Sequence, residues 1–186
     1  MDTVRQIAEA IAALRPADKQ RLLRLLAEQG DLPSQAISPL PAQLPPVSPD
    51  SRSPDYLLVF DGGSRGNPGP GYGSYAITRT KDGAQRLERL DLGDDYTNNE
   101  AEYDTLIAAL LDLIGCIEEA GRQPQEFAIE VRGDSALVIH QLQGKWKVRE
   151  PRMQDRRDKC FRLLRRFGSV ELRTQPRLES VRILGH

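Results

Sequence analysis

Apolar residues recur at helical spacing through the first thirty positions. Val4, Ile7, Ala8 and Ile11 fall on one stripe, and Leu22, Leu23, Leu25 and Leu26 on another, the three-to-four-residue recurrence of amphipathic helices. Pro16 interrupts the pattern at a place that suits the first turn of a second helix, and Gly30 suits its C-terminal cap. Residues 1–30 therefore predict a helical hairpin, too small for a core of its own. It could dock on the rest of the chain, meet a protein partner or pair with a second copy. The periodicity lapses over residues 31–55, which hold 7 of the 13 prolines among Ser, Gln and Asp, the make-up of an extended linker.

Regular patterning returns at Tyr56 and defines a third segment, residues 56–186. An apolar run over 56–61 predicts a strand, followed by a Gly/Pro loop at 62–71 and a second strand at 73–80. Lys81-Asp82-Gly83 reads as a hairpin turn. The strand after it, 86–93, offers Leu87 and Leu90 or Leu92 as inward residues. A long helix is expected from 97 to about 120, a strand over 127–132, a helix over 135–143 capped by Ser135, a basic helix over 151–167 and a last strand over 170–174. No helix is expected beyond it. Three strands in a meander followed by α, β, α, α, β form an α/β domain, a mixed sheet with helices on its faces.

Composition adds less than the distribution of charge. Hydrophobic residues make up 39% of the chain, enough for a core. No run approaches the roughly 20 apolar residues of a membrane span, and no secretory leader is evident, so a cytoplasmic protein without membrane contact is expected. Cys116 and Cys160 lack zinc-ligand spacing and read as small buried hydrophobes. The net charge of −1 speaks against a nucleic-acid binder, but its distribution reverses that. Residues 81–130 carry 4 basic against 13 acidic residues, while residues 131–186 carry 14 against 6. Such asymmetry allows a basic face beside an acidic centre. The plain alternative is a solvated helix bearing Arg156, Arg157, Lys159, Arg162, Arg165 and Arg166.

Three acids stand at positions where an α/β fold gathers side chains. Asp61 ends the first apolar run and opens Gly62-Gly63-Ser64-Arg65-Gly66-Asn67-Pro68-Gly69. Asp134 follows the fourth strand and Gly133, and sites in α/β sheets lie beyond such strand ends. Glu102 lies in the first turn of the long helix. Thr97 and Glu100 form a capping box there, which gives Glu100 a structural task and leaves Glu102 on another face. Taken singly, each acid has an ordinary reading: a turn-forming Asp, or a helix-dipole Glu. Together they would suit a hard divalent cation. Gly71-x-Gly73-x-x-Ala76 loosely matches a dinucleotide-binding fingerprint, but a strand follows where that motif needs a helix. The loop is better read as a tight turn that aims Ser64 and Asn67 at a ligand.

Asp-Gly-Gly-Ser-x-Gly-Asn-Pro-Gly at 61–69, Thr-Asn-Asn-x-x-Glu-Tyr at 97–103, Gly-Asp-Ser at 133–135 and Gln-Leu-x-Gly-x-Trp-Lys-Val at 141–148 together resemble type 1 ribonuclease H in its shorter bacterial and archaeal form. The resemblance covers about residues 56–177. It implies a ribonuclease H-like five-stranded sheet, a three-strand meander plus two parallel strands, carrying the N-terminal hairpin as an appendage. It also implies hydrolysis of the RNA strand of an RNA–DNA hybrid, largely independent of sequence, with Asp61, Glu102 and Asp134 as ligands of Mg²⁺ or Mn²⁺. Two ions are expected with substrate. By the same resemblance Gly62, Gly63, Ser64, Asn67, Asn98 and Asn99 meet the hybrid, while Lys145, Trp146, Lys147 and Arg149 meet the DNA strand. His140 reads as structural.

The chain departs from the family pattern at its end. Pro176-Arg177 matches, but Thr174 stands where histidine is common, Ser180 where asparagine is common, and Leu184 where a fourth carboxylate is expected. Three readings follow: three acids suffice, His186 or the terminal carboxylate supplies the missing ligand, or the domain binds hybrids without cutting them.

Overall fold

The computed structural model describes residues 53–185. The predicted hairpin at 1–30, almost all of the linker and His186 lie outside the described residues. Among the described residues five strands and four helices follow one another: β1 Tyr56–Ser64, β2 Gly69–Arg79, β3 Gln85–Tyr96, α1 Asn98–Glu119, β4 Ala128–Gly133, α2 Ala136–Leu142, α3 Pro151–Leu164, β5 Ser169–Thr174 and α4 Arg177–Leu184. A single 3₁₀ turn, Pro124–Glu126, leads into β4. The sheet order is β3-β2-β1-β4-β5. β1, β2 and β3 pair antiparallel, and β4 lies parallel to both β1 and β5. This is the expected mixed sheet. Among the described residues no helix is long and apolar enough to cross a membrane.

The middle position of β1 explains its unbroken apolar run, since a strand covered on both faces does not alternate. Leu58 and Phe60 enter the main core with Leu106, Leu110 and Leu113 of α1. Val59 points to the opposite face, where it packs with Ala76 of β2 and Leu184 of α4. Helix α1 is the central prop of the main core, with Tyr103, Leu106, Ala109 and Leu110 wholly buried. Its Tyr103 hydroxyl donates to Gln141 Oε1 of α2 at 2.8 Å. Two glycines let α1 lie this close to the hairpin. A Cβ on Gly73 would sit 1.9 Å from Thr105 Oγ1, and one on Gly62 would sit 2.6 Å from the backbone of Ala101 and Glu102.

Several boundaries differ from the sequence reading. β1 runs three residues past Asp61 and β2 starts at Gly69, so most of the expected loop is strand, with Gly62 opposite Gly73 and Ser64 opposite Gly71. Asp61 is therefore inside a strand rather than at its end. Leu92 is buried, but Leu87 is 41% exposed, because it lies opposite Ala76 on the face that the main core does not use. The chain also forms α4 after β5, where no helix was expected. Its turn starts when the Glu179 and Ser180 N–H groups bond to Pro176 O, and Leu184 anchors its far end.

Candidate metal centre

Strand pairing sets two of the three acids side by side. Phe60 of β1 is in register with Gly133 of β4, so Asp61, the next residue of β1, lies beside Asp134, the first residue past the end of β4. The third acid arrives with α1. Thr97 caps that helix in a complete capping box: the Glu100 N–H donates to Thr97 Oγ1, and Glu100 Oε2 accepts from the Thr97 N–H at 3.1 Å. Glu100 also lies 3.3 Å from Arg156, so its carboxylate is committed to structure, as its motif suggested. Glu102, two residues on, has its backbone packed directly against bare Gly62.

Asp61, Glu102 and Asp134 each offer a carboxylate oxygen, and these atoms all lie within 4.8 Å of one another. Asp61 is 3% exposed and Glu102 9%. Burial, followed by the charges of Asp61 and Asp134, pushes the Glu102 carboxyl up to about 9, against the smaller opposing pull of Arg177 and the Gly62 N–H. Burial and then Asp61 also raise Asp134, with Arg177 opposing. Glu102 Oε2 and Asp134 Oδ1 are buried without a hydrogen-bond partner. Unsatisfied buried oxygens are costly, and three crowded carboxylates repel one another. A hard divalent cation bound by oxygen answers both problems, so the residues present fit such an ion.

Among the described residues, the side chain of Arg177 brings a positive charge to this acidic group. Arg177, in the first turn of α4, places Nη1 3.2 Å from Asp134 Oδ2 and 3.9 Å from Asp61 Oδ1. The sequence marked Pro176-Arg177 as a motif match without assigning the arginine a place. Its position depends on α4, which the sequence reading did not foresee. Leu184, at the place of the expected fourth acid, is fully buried with Val59 and Ala76, so the described part of the centre holds three carboxylates.

The remaining sequence candidates form two further groups. The Ser64 N–H donates to Asn98 Oδ1 at 2.9 Å, and the Asn98 N–H donates to Asn67 Oδ1 at 3.3 Å. These bonds tie the β1–β2 turn to the start of α1, four residues before Glu102, and leave Asn67, Asn98 and Asn99 exposed. Gly63 is buried beneath the ring of Tyr72. Lys145, Trp146, Lys147 and Arg149 make an exposed group in the turn after α2. Trp146 is 49% exposed, with its ring centroid 4.8 Å from that of His140. His140 anchors this turn, since its carbonyl accepts from the Lys145 and Trp146 N–H groups, consistent with the structural part expected of it.

Comparison with known proteins places these features in context. The reverse transcriptase-like family matches residues 59–181. Ribonuclease HI of Halobacterium salinarum is 38% identical over 136 residues, covering 73% of this chain and 63% of the relative; the chain thus spans less than two thirds of that protein. The crystal structure of RNase H1 from the same archaeon superposes with a TM-score of 0.55 at 35% identity, over 69% of this chain and 90% of the other. LC11-RNase H1 in complex with RNA/DNA hybrid gives a TM-score of 0.59 at 32% identity, over 69% of this chain and 90% of the other.

Proposed function

The chain belongs to the ribonuclease H family, in its reverse transcriptase-like group, and from that premise we propose that it hydrolyses the RNA strand of RNA–DNA hybrids with the help of bound Mg²⁺ or Mn²⁺. The observation that carries this reading is the meeting of Asp61, Glu102 and Asp134 within 4.8 Å, with two of their buried oxygens unsatisfied. These three residues would hold the metal. When bound, divalent ions supply an activated water and a stabilised leaving oxygen for in-line displacement at phosphorus. LC11-RNase H1, similar over most of the domain, has been seen with RNA/DNA hybrid, which supports the substrate class.

The chain's own residues divide the remaining work. Asn67, Asn98 and Asn99, fixed around the start of α1, present amides to the minor groove, where the 2′-hydroxyl separates RNA from DNA. Gly62, lacking a Cβ, lets the Glu102 backbone lie against β1, and Gly63 and Ser64 continue that strand toward the hybrid. Lys145, Lys147 and Arg149 meet phosphates of the DNA strand, with Trp146 packed alongside. Phosphate contacts carry no sequence information, so cleavage is largely sequence-independent.

Incubation of the full chain with a labelled hybrid, in Mg²⁺, in Mn²⁺ and in EDTA, tests the proposal. Cleavage is expected in at least one metal and not in EDTA, and Asp61→Asn should abolish cutting while hybrid binding persists. Cutting by that variant at the wild-type rate would remove the assignment. A second reading, a hybrid-binding module with little or no activity, is favoured by Leu184 occupying the place of the expected fourth acid. It predicts salt-sensitive binding without cleavage in either metal.

A further inference from the structure

Arg177 brings a positive charge to the rim of the acidic cluster, facing Asp134 at 3.2 Å and Asp61 at 3.9 Å. We propose that it is the built-in counter-cation of the metal-free centre: its guanidinium holds the Asp61–Asp134 pair until a divalent ion displaces it, and it thereby weakens binding of the first ion. The inference rests on the reading of the three acids as a metal centre.

The backbone of Arg177 is fixed while its side chain reaches the carboxylates from the solvent side. Thr174 pairs with Gly133 at the end of the sheet, and the Gln175 N–H donates to Gly133 O at 3.0 Å. Gln175 Nε2 then donates to the hydroxyl of buried Ser180 at 2.8 Å, and Leu184 seats the far end of α4. The first turn of α4 is thus held beside Asp134. The Arg177 side chain itself is 67% exposed, against 10% for Asp134 and 4% for Asp61, so the guanidinium has open solvent to swing into when a metal ion takes the carboxylates.

The contact neutralises charge without filling the centre. One nitrogen, Nη1, faces both carboxylates, in place of the two-pronged geometry by which arginine best satisfies a carboxylate. The inner oxygens, Asp134 Oδ1 and Glu102 Oε2, remain unpartnered. A compact dication can reach them and a planar guanidinium from the α4 side does not. Two cations drawing on the same pair of carboxylates repel each other, so occupation by one disfavours the other. If Arg177 were only a surface ion pair, its removal would leave metal affinity unchanged.

Calorimetric titration of Mn²⁺ into the full chain without substrate separates these cases, using wild type, Arg177→Gln, Arg177→Lys and Asp134→Asn. The Gln variant is expected to bind the first Mn²⁺ about tenfold more tightly, the order of effect of one nearby charge on a doubly charged ion in a water-like medium. Its metal-free Tm should fall, its Mn²⁺-saturated Tm should match wild type, and the Lys variant should lie between. Unchanged or weaker Mn²⁺ binding by Arg177→Gln, while wild type binds and Asp134→Asn does not, would overturn the counter-cation role alone. Absence of Mn²⁺ binding in wild type would overturn the metal centre and this inference with it.

Discussion

The substitution Glu102→Gln is expected to raise the unfolding temperature of the metal-free protein, by a margin that grows with pH. In the unfolded chain Glu102 loses its proton near the ordinary value of 4.5, whereas in the native state it does so at about 9. Between those values the native state binds more protons than the unfolded state, so rising pH destabilises the fold. The loss begins above about 4.5 and levels off above about 9. One full proton corresponds to about 1.4 kcal/mol per pH unit, hence about 4 kcal/mol from about pH 5 to about pH 8. Relaxation and water entry around the charged form recover part of this, leaving about 2–4 kcal/mol, or about 6–12 °C in Tm for a chain of this size. Glutamine carries no titrating proton and lacks this slope. The raised carboxyl of Asp134 acts in the same direction in both proteins and so drops out of their difference to first order. Thermal melts in EDTA at about pH 5, 6.5 and 8 provide the measurement. Parallel curves of Tm against pH for the two proteins would refute the reasoning. Saturating Mg²⁺ or Mn²⁺ should reverse the ranking, because the wild type gains binding energy that the variant forfeits.

Gly62→Ala would drive a methyl group into the Ala101–Glu102 backbone, costing about 1–3 kcal/mol of stability and about a hundredfold in cleavage through displacement of Glu102; melts and hybrid assays read the two effects separately. Thr97→Ala should cost about 1 kcal/mol by removing the capping box, seen as a lower Tm. The double variant Lys147→Ala/Arg149→Ala should weaken hybrid binding and reduce the magnitude of its logarithmic salt slope by about 1–2, measured by fluorescence anisotropy over a salt series.

The succession of strands and helices that makes the mixed sheet was legible because β1 and β4 carry apolar runs and most turns carry their own punctuation. The acids were legible for a related reason: Asp61, Glu102 and Asp134 are each bound to a local signal, an apolar run, a capping box or a Gly-Asp-Ser step. What escaped depended on pairing across the fold. Gly62, Gly63 and Gly71 look like loop residues, since glycine weakens a strand, yet pairing within the hairpin holds them extended. Leu87 and Leu92 look alike on paper, and register alone decides that one is exposed and the other buried. Helix α4 was hidden because its inward residues are Ser180 and Leu184, while Leu178 is 77% exposed, which leaves no apolar stripe to read. With α4 unseen, the approach of Arg177 to the acids was unseen too.

The seat of Leu184 limits how the centre could be remodelled. Inserting aspartate there, to imitate a four-acid relative, would strand an ionisable group between Val59 and Ala76 at a penalty of several kcal/mol, and would loosen the anchor that keeps α4 and its arginine in place. Improvement by protein engineering would therefore have to start from the solvent-facing rim of the carboxylate cluster, leaving the underside of the sheet intact.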